Sequence, residues 1–136
     1  MTRRTPQRPG NPVNPKTDIV RKPVTWCGDS RVRIREFPDA ARGVAGQELD
    51  RVQCGEEPAD WKPMTSIGAG VREIRVHLEG EFRVVYVAKF ADAVYVLHAF
   101  QKKTRKTPKQ DLDLAAKRLK TVLEERAEAV RRSKKP

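Results

Sequence analysis

Cysteine is scarce in this chain. There are two, Cys27 and Cys54. They form no Cys-x-x-Cys pair and no disulfide framework, so a reduced, cytoplasmic protein is expected. Long apolar runs are also missing. The longest are Val84–Ala88 and Ala93–Leu97, far short of the roughly 18–20 residues a membrane span needs, so no membrane partner is expected. Arg3 and Arg4 are not followed by an apolar stretch and do not read as a secretory signal. The two histidines, His77 and His98, belong to no metal-ligand spacing set, so no metal is expected. No G-x-S-x-G, P-loop, zinc-ribbon or dinucleotide signature occurs, which argues against a small-molecule cofactor. No internal repeat is found.

What is abundant is positive charge. The 136 residues carry 29 Lys and Arg against 18 Asp and Glu, a net charge of +11. The charge is unevenly placed. Residues 1–22 are net +5, residues 23–100 net −2, and residues 101–136 net +8. A nearly neutral core therefore sits between two basic ends. An anionic partner such as RNA or DNA would meet the C-terminal third. The bland reading is that basic ends keep the chain soluble. The length suits one modest domain.

Residues 1–22 hold four prolines and little apolar content, which predicts a flexible basic arm. Residues 23–130 form the expected domain, and 131–136 a fraying basic tail. Val24–Trp26 is a strand candidate. Asp29 or Ser30 is placed to cap a helix reaching Phe37. Ala40–Cys54 keeps helical spacing and ends at Gly55. Residues 55–70 read as a loop. Ile74, Val76 and Leu78 alternate with polar residues, Leu78–Glu81 reads as a hairpin turn, and Phe82–Val87 and Val94–Phe100 complete a three-strand meander. Thr107 and Gln110 have capping-box spacing, with Pro108 at the first helical position. The following helix presents Leu112, Ala115, Ala116, Leu119, Val122, Leu123 and Val130 on one face. The expectation is an α+β fold, with one layer of helices on a small antiparallel sheet.

The strongest local signal is Lys102-Lys103-Thr104-Arg105-Lys106-Thr107-Pro108-Lys109. It holds five positive charges and no negative one. By strand parity Arg75 points away from Ile74 and Val76. Arg75, Arg83, Lys102 and Lys103 together would make a phosphate cradle, since phosphoryl chemistry needs fixed cations where charge develops. Glu73 and Glu81 are at hand as carboxylate partners. Arg105 and Lys106 extend the patch. Tyr86 and Phe100 are strand aromatics, either core or rings for a base to stack on. His77 shares a face with Arg75 and is a general-acid or base candidate. His98, Trp26 and Trp61 read as structural.

Three stretches carry a resemblance. They are Gly70-Val-Arg-Glu-Ile-Arg75, Phe82-Arg83-Val-Val-Tyr86, and Leu97-His-Ala-Phe100-Gln-Lys-Lys-Thr-Arg-Lys-Thr-Pro108. Together they resemble the RelE/ParE superfamily of toxins from type II toxin–antitoxin pairs, in its phage-derived, HigB-like host-inhibition branch. The likeness spans about Val24 to Val130. It implies a microbial-ribonuclease-like fold and an endoribonuclease that cleaves messenger RNA on the ribosome. It also implies a helix-turn-helix antitoxin as partner. By that likeness Arg83 and Lys103 would stabilise a pentavalent phosphate formed by attack of the ribose 2′-hydroxyl. Arg75 would help activate the nucleophile or balance charge. The likeness requires no metal or cofactor. The chain departs from the pattern in having no tyrosine after Tyr95 and no C-terminal histidine or aspartate of the HigB type, so the proton donor and acceptor stay unassigned. The same fold hosts gyrase-inhibiting ParE toxins, and a non-catalytic RNA-binding module is a third reading.

Overall fold

The computed structural model describes residues 20–134. Most of the expected arm, residues 1–19, and the end of the expected tail, residues 135–136, lie outside the described residues. Eight elements follow one another: β1 (Val24–Trp26), α1 (Ser30–Arg35), α2 (Asp39–Gln53), β2 (Trp61–Pro63), β3 (Val71–His77), β4 (Glu81–Val87), β5 (Val94–Lys102) and α3 (Lys109–Ser133). The strands form one sheet in the order β1-β5-β4-β3-β2. The architecture is α+β, as expected.

The sheet is mixed rather than purely antiparallel. Strand β1 pairs with β5 in parallel, reached through α1, α2 and the meander, while the other neighbours are antiparallel. The expected loop 55–70 contains β2, which pairs Trp61 with Ile74 and Pro63 with Arg72. A three-residue edge strand ending in proline carries too little alternation to show in sequence. The β3–β4 hairpin turns through Leu78, Glu79 and Gly80, with φ of 51° at Glu79 and 148° at Gly80. Gly80 makes that second value affordable, because it has no Cβ to clash.

Helices cover both faces of the sheet, not one. Ile34, Phe37, Ala41, Ala45, Leu49 and Val52 from the α1–α2 region pack on Ile74, Val76, Phe82, Val84, Tyr86, Val94 and Val96. On the other face Ala115, Leu119 and Val122 of α3 pack on Val71, Val85, Val87, Leu97 and Phe100. The near-continuous apolar run of β4 has this cause. A strand buried on both faces does not alternate. Within that run the single charged residue is Arg83.

A bulge breaks the β4–β5 ladder. Val85 pairs with His98 but Tyr86 pairs with Val96, so Leu97 is the extra residue. Before the bulge, Val94 and Val96 face α1 and α2. After it, Phe100 faces α3. Without the bulge those three would share one face.

Helix α3 begins one residue later than expected. Pro108 is its N-cap, with ψ of 143° and no side-chain cap bond, so the Thr107–Gln110 box does not form. The Pro108 carbonyl instead accepts from the Asp111 and Leu112 amides, at 3.0 and 3.2 Å. Helix α1 ends at Arg35, short of Phe37, and Asp29 spends its carboxylate on Arg33 and Arg118 rather than on a cap. The helical part of the expected tail reaches Ser133. Leu123 and Val130 are exposed, so the packed stripe of α3 stops near Val122. At the other end, the arm boundary moves back. Lys22 donates to the carbonyls of Ala88 and Phe90 and to that of Gln53, and Arg21 pairs with Asp50, so both belong to the domain. Among the described residues no helix is long and apolar enough to cross a membrane.

Candidate functional site

The α3 face of the sheet changes character toward the β3–β4 turn. The apolar residues under α3 give way to Glu73, Arg75 and His77 on β3, Glu81 and Arg83 on β4, and Lys102 on β5. The ladders place Arg75 across from Arg83, His77 across from Glu81, Glu81 across from Lys102 and Lys62 across from Glu73. Two like charges directly opposite one another repel. The flanking carboxylates offset that.

Arg83 is 2% exposed. Its Nη2 donates to Glu81 Oε1 at 3.0 Å, its Nη1 donates to the Phe82 carbonyl at 3.0 Å, and its Nε lies 3.5 Å from Glu73 Oε1. Glu73 is also buried. Loss of water pushes its carboxyl pKa up, and the positive charges of Arg83, Lys62, Lys102 and Arg75 oppose that shift. Four cations from four strands thus share one sheet face with a buried carboxylate. Glu73 Oε2, Arg75 Nε and Arg83 Nε have no hydrogen-bond partner.

His77 sits at the outer edge of this cluster. Its Nε2 is 2.6 Å from Asp60 Oδ2 and its Nδ1 is 2.7 Å from Glu81 Oε1. Bonds to Glu81 and then Asp60 raise its pKa. A ring with a carboxylate on each nitrogen is best served by the imidazolium, which donates from both. Glu81 therefore joins His77 to Arg83.

Beside the cluster, Lys62, Lys102, Arg105 and Lys106 line an open groove of 610 Å³ together with Met64 and Leu112. Their charge makes this part of the surface positive.

The expected residues divide. Arg75, Arg83 and Lys102 come together, and Arg105 and Lys106 border them. Lys103 does not join them. It follows the end of β5 and lines a separate cleft with Arg33, Glu36 and Gln101. Tyr86 faces the α1–α2 core and is 1% exposed. Phe100 is buried, its ring stacked on His98 with centroids 5.3 Å apart. Neither ring has a free face for a base. His98 is structural as expected. Its Nε2 is 2.7 Å from Asp111 Oδ1, and burial is the main cause of its lowered pKa. Trp61 stacks under the guanidinium of Arg72, 4.0 Å from the ring centre.

Lys62 and Asp60 were not legible as site residues, because nothing in sequence marked β2. Glu73 was legible only as a partner for arginine.

Residues 33–120 match the family model described as "Phage derived protein Gp49-like (DUF891)". The chain belongs to this Gp49-like family. It is a phage-derived, toxin-like family. The matched span takes in β2 to β5 and the start of α3, so every residue of the Gp49-like cluster described above lies inside it. No curated protein matches the chain.

Proposed function

We propose that this Gp49-like chain is the toxin of a type II toxin–antitoxin pair, in the HigB-like branch, and a metal-independent endoribonuclease that cleaves messenger RNA on the ribosome. A helix-turn-helix antitoxin would be its neutralising partner. The observation that carries this reading is the convergence of Lys62, Arg75, Arg83 and Lys102 on one sheet face beside a basic groove. Such a set holds a phosphodiester and stabilises charge on its equatorial oxygens. The ribose 2′-hydroxyl gives up its proton as its oxygen attacks the adjacent phosphorus, the bond to the 5′-oxygen breaks, and that oxygen takes up a proton, leaving a 2′,3′-cyclic phosphate and a 5′-hydroxyl. In this arrangement Lys102, not Lys103, works with Arg75 at the phosphate. Arg83 supports them from below.

One observation favours a second reading, a non-catalytic RNA-binding module. The most buried arginine is already neutralised by two carboxylates, Glu73 and Glu81.

The deciding experiment is inducible expression in a bacterial host, wild type against Lys102→Ala and Arg75→Ala, with mapping of RNA 5′ ends. Growth arrest with new ends in translated messages, lost in both variants, is the expected result. Arrest with intact messages would refute cleavage and direct the search to gyrase. Soluble protein that binds RNA without arrest would leave the binding module.

A further inference from the structure

The cation cluster holds three buried polar atoms without hydrogen-bond partners: Glu73 Oε2, Arg75 Nε and Arg83 Nε. Glu73 and Arg83 are 1% and 2% exposed, so bulk water does not satisfy them. Atoms left this way are costly, and they point to a group that fits between them.

The chemistry of the set is selective. It offers one acceptor and two donors. A phosphate oxygen suits the two N–H groups but is repelled by the carboxylate oxygen. An ammonium suits the carboxylate but not the N–H groups. A hydroxyl satisfies both kinds, since it donates once and accepts twice. One oxygen can serve both residues. Arg83 Nε lies 3.5 Å from Glu73 Oε1, and Oε2 is the other oxygen of that same carboxylate. Arg75 is directly across from Arg83 and two residues from Glu73 on β3, on the same face of the sheet.

We propose that Glu73 is a ribose reader: its Oε2 accepts from the 2′-hydroxyl of a bound ribonucleotide, while the Nε–H of Arg83 donates to that hydroxyl's oxygen. The proposal rests on the RNA reading above and adds a specificity-determining residue to it. The 2′-hydroxyl is what distinguishes RNA from DNA at a given site. The phosphate on the neighbouring ribose carbon then falls among Arg75, Lys62 and Lys102. The cations that reach Glu73 from β2 and β5 are lysines, Lys62 exposed and Lys102 half-buried, and both have long flexible stems. In the free protein a water can bridge the same atoms, and the hydroxyl replaces it.

The test uses the full chain without ribosomes and three labelled single strands of one sequence: RNA, DNA and 2′-O-methyl RNA. Affinities are read by fluorescence anisotropy at one salt concentration. The methylated strand keeps the ribose shape and the oxygen but loses the donor. Wild type should bind RNA about ten- to a hundredfold more tightly than either of the others. Glu73→Leu should bring the three affinities together, and a wild-type circular dichroism spectrum at the assay temperature shows that the variant is folded. Equal binding of RNA and 2′-O-methyl RNA by wild type would overturn the proposal and assign the three atoms to a water. So would a preference that survives Glu73→Leu. Should that variant not fold, the three strands on wild type decide alone. If none of the strands binds, or binding ignores Lys102→Ala, the nucleic-acid reading itself has failed.

Discussion

Arg83, directly across the β3–β4 ladder from Arg75, is held by two carboxylates, Glu73 Oε1 at 3.5 Å from Nε and Glu81 Oε1 at 3.0 Å from Nη2. The arrangement lets two arginines face one another across the β3–β4 ladder. It also makes Glu73 and Arg83 depend on one another. Removing one partner of a buried pair leaves the other charge without compensation, at a cost of about 3–5 kcal/mol, whereas replacing both by apolar groups of similar volume is often neutral. Arg83→Met alone should therefore destabilise the fold by roughly that amount. Glu73→Leu with Arg83→Met should cost much less than the two singles added. Urea denaturation of the two singles and the double closes the cycle. Additive effects would mean that the two residues act separately.

The two histidines should pull stability in opposite directions with pH. Bonds to Glu81 and Asp60 raise the folded pKa of His77. Its contribution is complete below the ordinary value of about 6.5 and is lost as pH rises through the higher folded value. Burial lowers the folded pKa of His98. Its contribution is present above about 6.5 and is lost as pH falls through the lower folded value. In wild type the two windows meet near 6.5, so together the histidines place a stability maximum at about that pH. In His77→Gln the Tm should no longer fall between neutral and mildly alkaline pH, and acid sensitivity should remain. Thermal melts across pH, with ring titrations followed by NMR, measure both. A wild-type His77 ring titrating at or below the ordinary value would refute the double clamp.

Lys102 and Lys103 are adjacent in sequence and separated in space. Lys102 shares the face of Arg83, and Lys103 lines the cleft beside Arg33. If nucleic acid follows the Arg75–Arg83 face, Lys102→Ala should weaken RNA binding and reduce the slope of log affinity against log salt by about 1. Lys103→Ala should change both much less. Salt titrations of the two variants decide the matter, and a larger effect at Lys103 would move the binding path to the cleft.

That separation also shows where the sequence stopped being readable. Strand β3, the α2 span and the polar side of Arg75 follow from alternation and spacing, because burial of one face imposes a period, while β4 and β5 follow from their β-branched and aromatic runs. The bulge at Leu97 does not. It inserts one residue, reverses the faces of all that follow in β5, and brings Lys102 to Arg83. No propensity of Leu97-His98 announces it. The second helical layer was hidden for a related reason. The run Val84–Val87 has no period, so it fits a strand buried on both faces but does not specify what covers each one. Strand β2 is too short to alternate, and Lys62 arrives at the site through it.

A glycine just before α1 gives a further handle on His98. Gly28 has φ of +54°, and a Cβ placed there would lie 2.4–2.6 Å from the guanidinium of Arg118. That guanidinium donates to Asp29 Oδ1 at 2.7 Å and to the Leu97 carbonyl at 3.0 Å, and its positive charge helps hold the His98 pKa down. Gly28→Ala forces a non-glycine residue into the left-handed region, which alone costs roughly 1–2 kcal/mol. It also drives Arg118 off its partners, because the guanidinium is the movable end of the contact. The His98 pKa should then rise toward its ordinary value, though burial keeps it below. The Asp29 carboxyl, depressed chiefly by its bond to Arg118, should rise as well. A histidine-selective NMR titration of wild type and Gly28→Ala reads the first effect, and urea denaturation reads the stability loss. An unchanged His98 titration in a destabilised variant would show that Arg118 stays in place and the backbone gives way instead.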